Sequence, residues 1–134
     1  MRWTLGLFIV LLMFVGCEPS YRVYIRNSSS SDVYFKTSPS IESLYDSTLS
    51  PFYYRLIFNY KINNDGKYSV YRLRPFDSLL LYGHIGGLNV NDVPFDYIEI
   101  ISNNDTTILE SKSSIIDQLK AMYKKGNYYI EAKK

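Results

Sequence analysis

Few residues in this chain could carry out chemistry. Cys17 is the only thiol among 134 residues, and a thiolate is both a nucleophile and an acyl acceptor. His84 is the only imidazole. It stands in Leu81-Tyr82-Gly83-His84-Ile85-Gly86-Gly87, where a histidine ahead of glycines has the make-up of an oxyanion loop. No Gly-x-Ser-x-Gly elbow accompanies it, so a loop histidine with no catalytic task is expected. One cysteine and one histidine fall short of a structural zinc site, and no phosphate-binding glycine loop is present. The acids are scattered, and no spacing selects a carboxylate pair. Asn89, Asn91, Asp92 and Asp96 carry oxygens of the kind calcium takes. Their run lacks an EF-hand spacing, however, and Asn and Asp beside proline are ordinary turn chemistry. The expectation is a non-enzymatic protein with no catalytic residue, no metal and no cofactor.

Tyrosine is the other conspicuous residue type. All fourteen tyrosines follow Gly16, whereas the only tryptophan, Trp3, precedes it. Tyr24, Tyr34, Tyr53 and Tyr129 fall opposite the more apolar residues of their expected strands, and Tyr71 does so less cleanly. Outward tyrosines stack on sugar rings or anchor protein interfaces, because they bring large area at low entropic cost. They also pair across strands and simply finish a sheet surface. These five form the candidate interaction face. Arg22, Arg26, Arg72, Arg74 and Lys133-Lys134 are candidates for leaning on anionic headgroups, although solvated strand faces explain them equally well.

Strands must position these groups. Tyr21 to Arg26 alternates, with Tyr21, Val23 and Ile25 on one face. The cluster Asn27 to Asp32 and the short run Val33 to Lys36 complete an expected hairpin. One helical turn is expected over Ile41 to Tyr45. Phe52 to Ile62 reads as the strongest strand, with Tyr54, Leu56, Phe58, Tyr60 and Ile62 pointing one way. A turn at Asn63-Asn64-Asp65-Gly66 leads into Tyr68 to Leu73. Ser78 to Tyr82 reads as a short buried strand and Gly83 to Asn91 as a loop. Phe95 to Ser102 and Thr106 to Leu109 form a further hairpin. Ser113-Ser114 caps a helix reaching Met122 or Lys125, with Ile115, Ile116, Leu119 and Met122 at helical spacing, and Tyr128 to Glu131 closes the domain. The predicted class is mostly β: an antiparallel two-layer sandwich of about eight short strands, Ig-like, with one late α-helix.

The first sixteen residues carry an address. Met1-Arg2 is positive, Leu5 to Val15 is apolar apart from Gly6, and Gly16 stands directly before Cys17. A run of eleven residues is too short to cross a bilayer core of ~30 Å as a helix, so it reads as a secretory signal peptide. Cleavage between Gly16 and Cys17 leaves 118 residues, one domain's worth, with 14 Lys and Arg against 13 Asp and Glu. That balance argues against nucleic acid, which calls for a clustered basic face. Residues 17–20 make a tether spanning at most ~14 Å, so the domain, 21–134, would sit almost on the membrane.

Phe14-Val15-Gly16-Cys17 resembles the lipobox of bacterial lipoproteins, Phe14 standing where leucine is usual. The resemblance implies that the Cys17 thiol is diacylated and becomes the first residue of the mature protein, its acyl chains being the contact with the membrane. Together with Tyr21 to Ser29 and Pro94 to Ile100, it makes the chain similar to the small uncharacterised lipoproteins of Bacteroidetes-type bacteria, which implies a single β-sandwich domain. Glu18-Pro19-Ser20-Tyr21 lacks the acidic run that accompanies surface export in such bacteria, and Glu18 is not the aspartate of inner-membrane retention. The implied location is therefore the periplasmic side of the outer membrane. Asp46-Ser47-Thr48, Asp77-Ser78-Leu79 and Asp105-Thr106-Thr107 resemble the O-glycosylation acceptor motif of these bacteria, at Ser47, Ser78 and Thr106. The expected function is a lipid-anchored interaction or accessory subunit with an envelope protein as partner. The second expectation is a glycan-binding module.

Overall fold

The structure, a computed structural model, describes residues 20–45, 51–65, 67–103 and 105–132. The expected signal peptide and cleavage point at Gly16 and Cys17, together with Ser47 and the pair Lys133-Lys134, lie outside these residues. Two sheets pack face to face. The first has the order β5-β1-β9-β8, built from β1 (Ser20–Asn27), β5 (Ser78–Ile85), β8 (Tyr123–Lys124) and β9 (Asn127–Ala132). The second runs β3-β4-β2-β6-β7, from β2 (Val33–Ser38), β3 (Lys61–Asp65), β4 (Tyr68–Leu73), β6 (Tyr97–Ile101) and β7 (Thr106–Leu109). Pairing is antiparallel except between β1 and β9, which run parallel. The expected two-layer sandwich is present, with nine strands among the described residues.

Alternation explains the layers. Val23 and Ile25 of β1, Val33 and Phe35 of β2, Tyr71 and Leu73 of β4, and Ile98 and Ile100 of β6 all turn inward and are buried. Phe35 and Tyr71 stack at 5.0 Å between ring centres. The Tyr71 hydroxyl donates to Glu42 Oε2 (2.6 Å) and accepts from the Ile41 N–H (2.8 Å). This ties down the 3-10 turn Ile41–Leu44, the helical turn expected there. Lys61 pairs with the other Glu42 oxygen. Burial opposes ionisation of Glu42, but the bonds from Lys61 and Tyr71 outweigh it and hold its carboxyl below the usual value.

Four expectations are corrected. β1 and β2 are not a hairpin, because they belong to different sheets. Asn27 is buried at the corner between them, and its side-chain amide reaches the carbonyls of Ser31 (2.7 Å), Leu73 (3.1 Å) and Arg74 (3.0 Å). The expected strand Phe52 to Ile62 is helix α1 (Pro51–Phe58), followed by β3, which takes in Asn63, Asn64 and Asp65 of the expected turn. Tyr53, Leu56, Ile57 and Tyr60 have helical i, i+3, i+4, i+7 spacing; Ile57 is fully buried, and Tyr53 and Tyr60 pack on the core. Thirdly, β5 extends through Ile85, so His84 is a strand residue and not a loop residue. Finally, Ser111, not Ser113 or Ser114, caps the late helix α2 (Lys112–Ala121), in a capping box with Ser114. The chain then enters β8 and turns at Lys125-Gly126, both at positive φ, as a type I′ hairpin requires.

Helix α1 closes one open side of the sandwich. The Tyr53 hydroxyl donates to the Leu80 carbonyl of β5, an edge of the first sheet, while the helix itself leads into β3, an edge of the second. Covering exposed edges in this way prevents strand addition. Among the described residues no helix is long and apolar enough to cross a membrane.

Candidate functional site

The five candidate tyrosines do not share one face. Tyr24 and Tyr129 lie side by side on the outer face of the first sheet, where β1 and β9 pair in register. Tyr34 is on the outer face of the second sheet, 40% exposed, opposite Arg72 of β4. Tyr71 is a core residue with no exposed surface, so its assignment to an interaction face is wrong. Its alternation in β4 runs with Ser69 and Leu73 towards the core. Tyr53 sits on α1 at the margin of the first sheet, its ring 4.5 Å from that of Tyr45.

What remains together is an aromatic row across the first sheet. The rings of Tyr24 and Tyr129 are 5.7 Å apart and nearly parallel, at 20°. Arg26 lies over the Tyr129 ring at 4.8 Å and pairs with Glu131 at 3.1 Å. Glu131 also accepts from Ser28. On the other side, Tyr24 is paired with Leu80 of β5, whose carbonyl holds Tyr53. Burial pushes the Tyr53 hydroxyl far up and the Tyr45 hydroxyl up to about 12. The row thus combines two half-exposed rings, a third ring fixed at one margin, and a guanidinium–carboxylate pair above them. Flat rings flanked by fixed polar groups suit an interface anchor or a sugar ring.

A second constellation occupies the end of the sandwich where β1 begins. β5 contains a bulge opposite Val23 and Tyr24, with Leu81 the extra residue. The bulge reverses the alternation, so Leu79 and Leu81 face inward before it and Tyr82 and His84 after it. Such bulges re-aim side chains. His84 consequently pairs with Tyr21 of β1, 5.7 Å between rings, and its Nε2 lies 3.3 Å from Asp92 Oδ2. An open cleft of about 550 Å³ adjoins the pair, lined among others by Ile85, Gly86, Val90, Ile116 and Lys120. Tyr21 and Tyr82 are each 6% exposed, and their hydroxyls have no hydrogen-bond partner among the described residues. Burial raises the pKa of both, with the Asp92 carboxylate adding to it. Asp92 can orient the imidazole, but no hydroxyl or thiol nucleophile bonds to His84 among the described residues. The pairing of two residues eight apart across a loop left no mark in the sequence.

The other sequence candidates are dispersed. The Asn89 side chain caps the 3-10 turn Val90–Asp92, Asp92 faces His84, and Asp96 lies 3.9 Å from Lys112. Three of the four side chains of the calcium reading, those of Asn89, Asp92 and Asp96, are therefore engaged separately. Ser78 and Thr106 are exposed at the first positions of β5 and β7. Arg22 stands near the start of β1, whereas Arg26 and Arg74 lie at its far end, around Asn27. Comparison of the chain with protein-family models, with characterised proteins and with solved structures gives no match.

Proposed function

We propose that this chain is a lipid-anchored envelope protein whose folded domain is a non-enzymatic accessory subunit, binding a partner protein through the outer face of the four-stranded sheet. The observation that carries the reading is the row Tyr24–Tyr129 with Arg26 and Glu131. Aromatic and arginine side chains are the usual energetic centres of interfaces, and these are held in place by sheet register and by one another. The lipobox around Cys17 supplies the address: acylation, and the periplasmic side of the outer membrane. Ser47, Ser78 and Thr106 are the proposed O-glycosylation positions.

The test is cross-linking on intact cells, followed by affinity purification and mass spectrometry. One partner should be recovered stoichiometrically with the wild type, and recovery should fall about tenfold or more with Tyr24→Ala/Tyr129→Ala, as for loss of a centre worth ~1.4–3 kcal/mol. Tyr34→Ala, on the other sheet, should leave it unchanged. Equal recovery from all three would contradict the assigned face. A second reading, glycan binding, is favoured by the near-parallel rings beside a charged pair. It predicts a defined polysaccharide hit on a glycan array that the same double substitution abolishes; a blank array rejects it.

A further inference from the structure

We infer that the end of the sandwich bearing Ser20, Ile85, Val90 and the Lys124–Gly126 turn is a docking surface for an anionic lipid bilayer, which fixes how the domain stands on the membrane. The inference rests on the anchored reading of Cys17 and adds the pose. Ser20 opens β1 and is three residues from Cys17, so this end cannot lie more than ~14 Å from an acylated cysteine. The opposite end is some eight residues of strand away, about 23 Å.

Both chemistry and placement suit a headgroup surface. Ile85 pairs with Ser20 and is 65% exposed, and Val90, across the cleft, is 40% exposed. Apolar groups exposed beside an anchor enter the headgroup and acyl boundary. Around them stand Arg22, Lys120, Lys124 and Lys125, all exposed and without an ion pair among the described residues. Of the nearby acids, Asp92 and Asp96 face His84 and Lys112, which leaves Asp117, exposed one turn before Lys120 on α2, against four basic side chains. Each basic side chain near an anionic surface strengthens attachment about fivefold. By contrast, Arg26 and Arg74 belong to the far end, where Ala132 of the parallel strand β9 pairs with Asn27. The outer-face row Tyr24–Tyr129 then stands clear of the headgroups, upright on the membrane.

The mature chain has no tryptophan, so one introduced tryptophan reports depth. Full-length protein processed and acylated in an exporting bacterium is purified as Ile85→Trp or as Phe76→Trp. Phe76 is 75% exposed in the turn at the far end. Each is reconstituted in phosphatidylethanolamine–phosphatidylglycerol vesicles containing lipids brominated near the headgroup. Flotation with the vesicles, lost on Cys17→Ala, reports the anchor separately from the pose. The pose predicts a blue-shifted, strongly quenched emission from position 85 and an unshifted, unquenched emission from position 76. Lys120→Glu/Lys124→Glu/Lys125→Glu should abolish the quenching while flotation persists. Floating protein with both positions unquenched, or with position 76 quenched instead, overturns the pose alone. Shielding of position 85 only after addition of an envelope extract would assign the surface to a protein and also overturns it. Absence of flotation overturns the anchor and the pose with it.

Discussion

Tyr71 and Tyr82 are both buried phenols, yet their hydroxyls are in opposite states. Tyr71 both donates to Glu42 and accepts from the Ile41 N–H, whereas the Tyr82 hydroxyl has no partner among the described residues. A made hydrogen bond adds little net stability, but stranding its partners costs their desolvation. Tyr71→Phe should therefore lower stability by roughly 1–3 kcal/mol, while Tyr82→Phe should be neutral or raise it by up to ~1 kcal/mol. Urea unfolding followed by circular dichroism distinguishes these outcomes, and a loss at Tyr82 as large as that at Tyr71 would contradict the bonding scheme. Glu42 gives the scheme a pH signature. Its folded-state pKa lies below the unfolded value, so its ionised form stabilises the fold above that unfolded value, and the contribution is lost as pH falls through the folded one. Glu42→Gln should cost ~1–3 kcal/mol at neutral pH, and the difference from wild type should shrink steadily below pH ~4.5. A difference that stays constant down to pH ~2 would contradict it.

At the scale of elements, α1 makes the sharpest prediction, because the strand reading and the helix bury different residues. The strand reading turns Leu56 and Phe58 inward and Ile57 outward; the helix buries Ile57 fully and leaves Phe58 47% exposed. Ile57→Ala should cost ~2–5 kcal/mol, and Phe58→Ala, which loses a half-exposed ring beneath Lys61, about 1 kcal/mol, as read from urea midpoints. The reverse order would restore the strand. The sequence there is apolar at nearly every position, so period 2 and period 3.6 both fit it. Pro51, preorganised for a first helical turn, was the signal that separated them. Where one face is polar, alternation read the elements correctly, as in β1 and the β6–β7 hairpin; in β4 it gave the bounds but set Tyr71 on the wrong face. Where all positions are apolar, it failed: Leu79-Leu80-Leu81-Tyr82 gives no hint of the bulge at Leu81, so the inward turn of His84 was hidden. The Asn27 corner was hidden for a different reason, since its partners Leu73 and Arg74 lie more than forty residues on. The outward placement of Tyr24 and Tyr129 was legible. Their adjacency was not, because it depends on the parallel pairing of the first and last strands.

For the whole molecule, the parallel β1–β9 pair sets the polarity of the domain. Both strands begin at the end that bears Ser20, so the described chain enters the fold at one end and β9 finishes at the other. With the proposed anchor at the entry, the aromatic row of the first sheet would stand in mid-strand, above the headgroups and open to a partner in the same compartment. The second sheet, with Tyr34, faces the other way. The proposed address and pose therefore both depend on Cys17 becoming the acylated first residue. The most direct measurement is mass spectrometry of the N-terminal tryptic peptide from the membrane fraction of the native host. An acylated N-terminus at Cys17 predicts a peptide that begins at Cys17, ends at Arg22 and carries acyl chains on the cysteine. An N-terminus elsewhere, or an unmodified Cys17 in protein recovered from the soluble fraction, would contradict it.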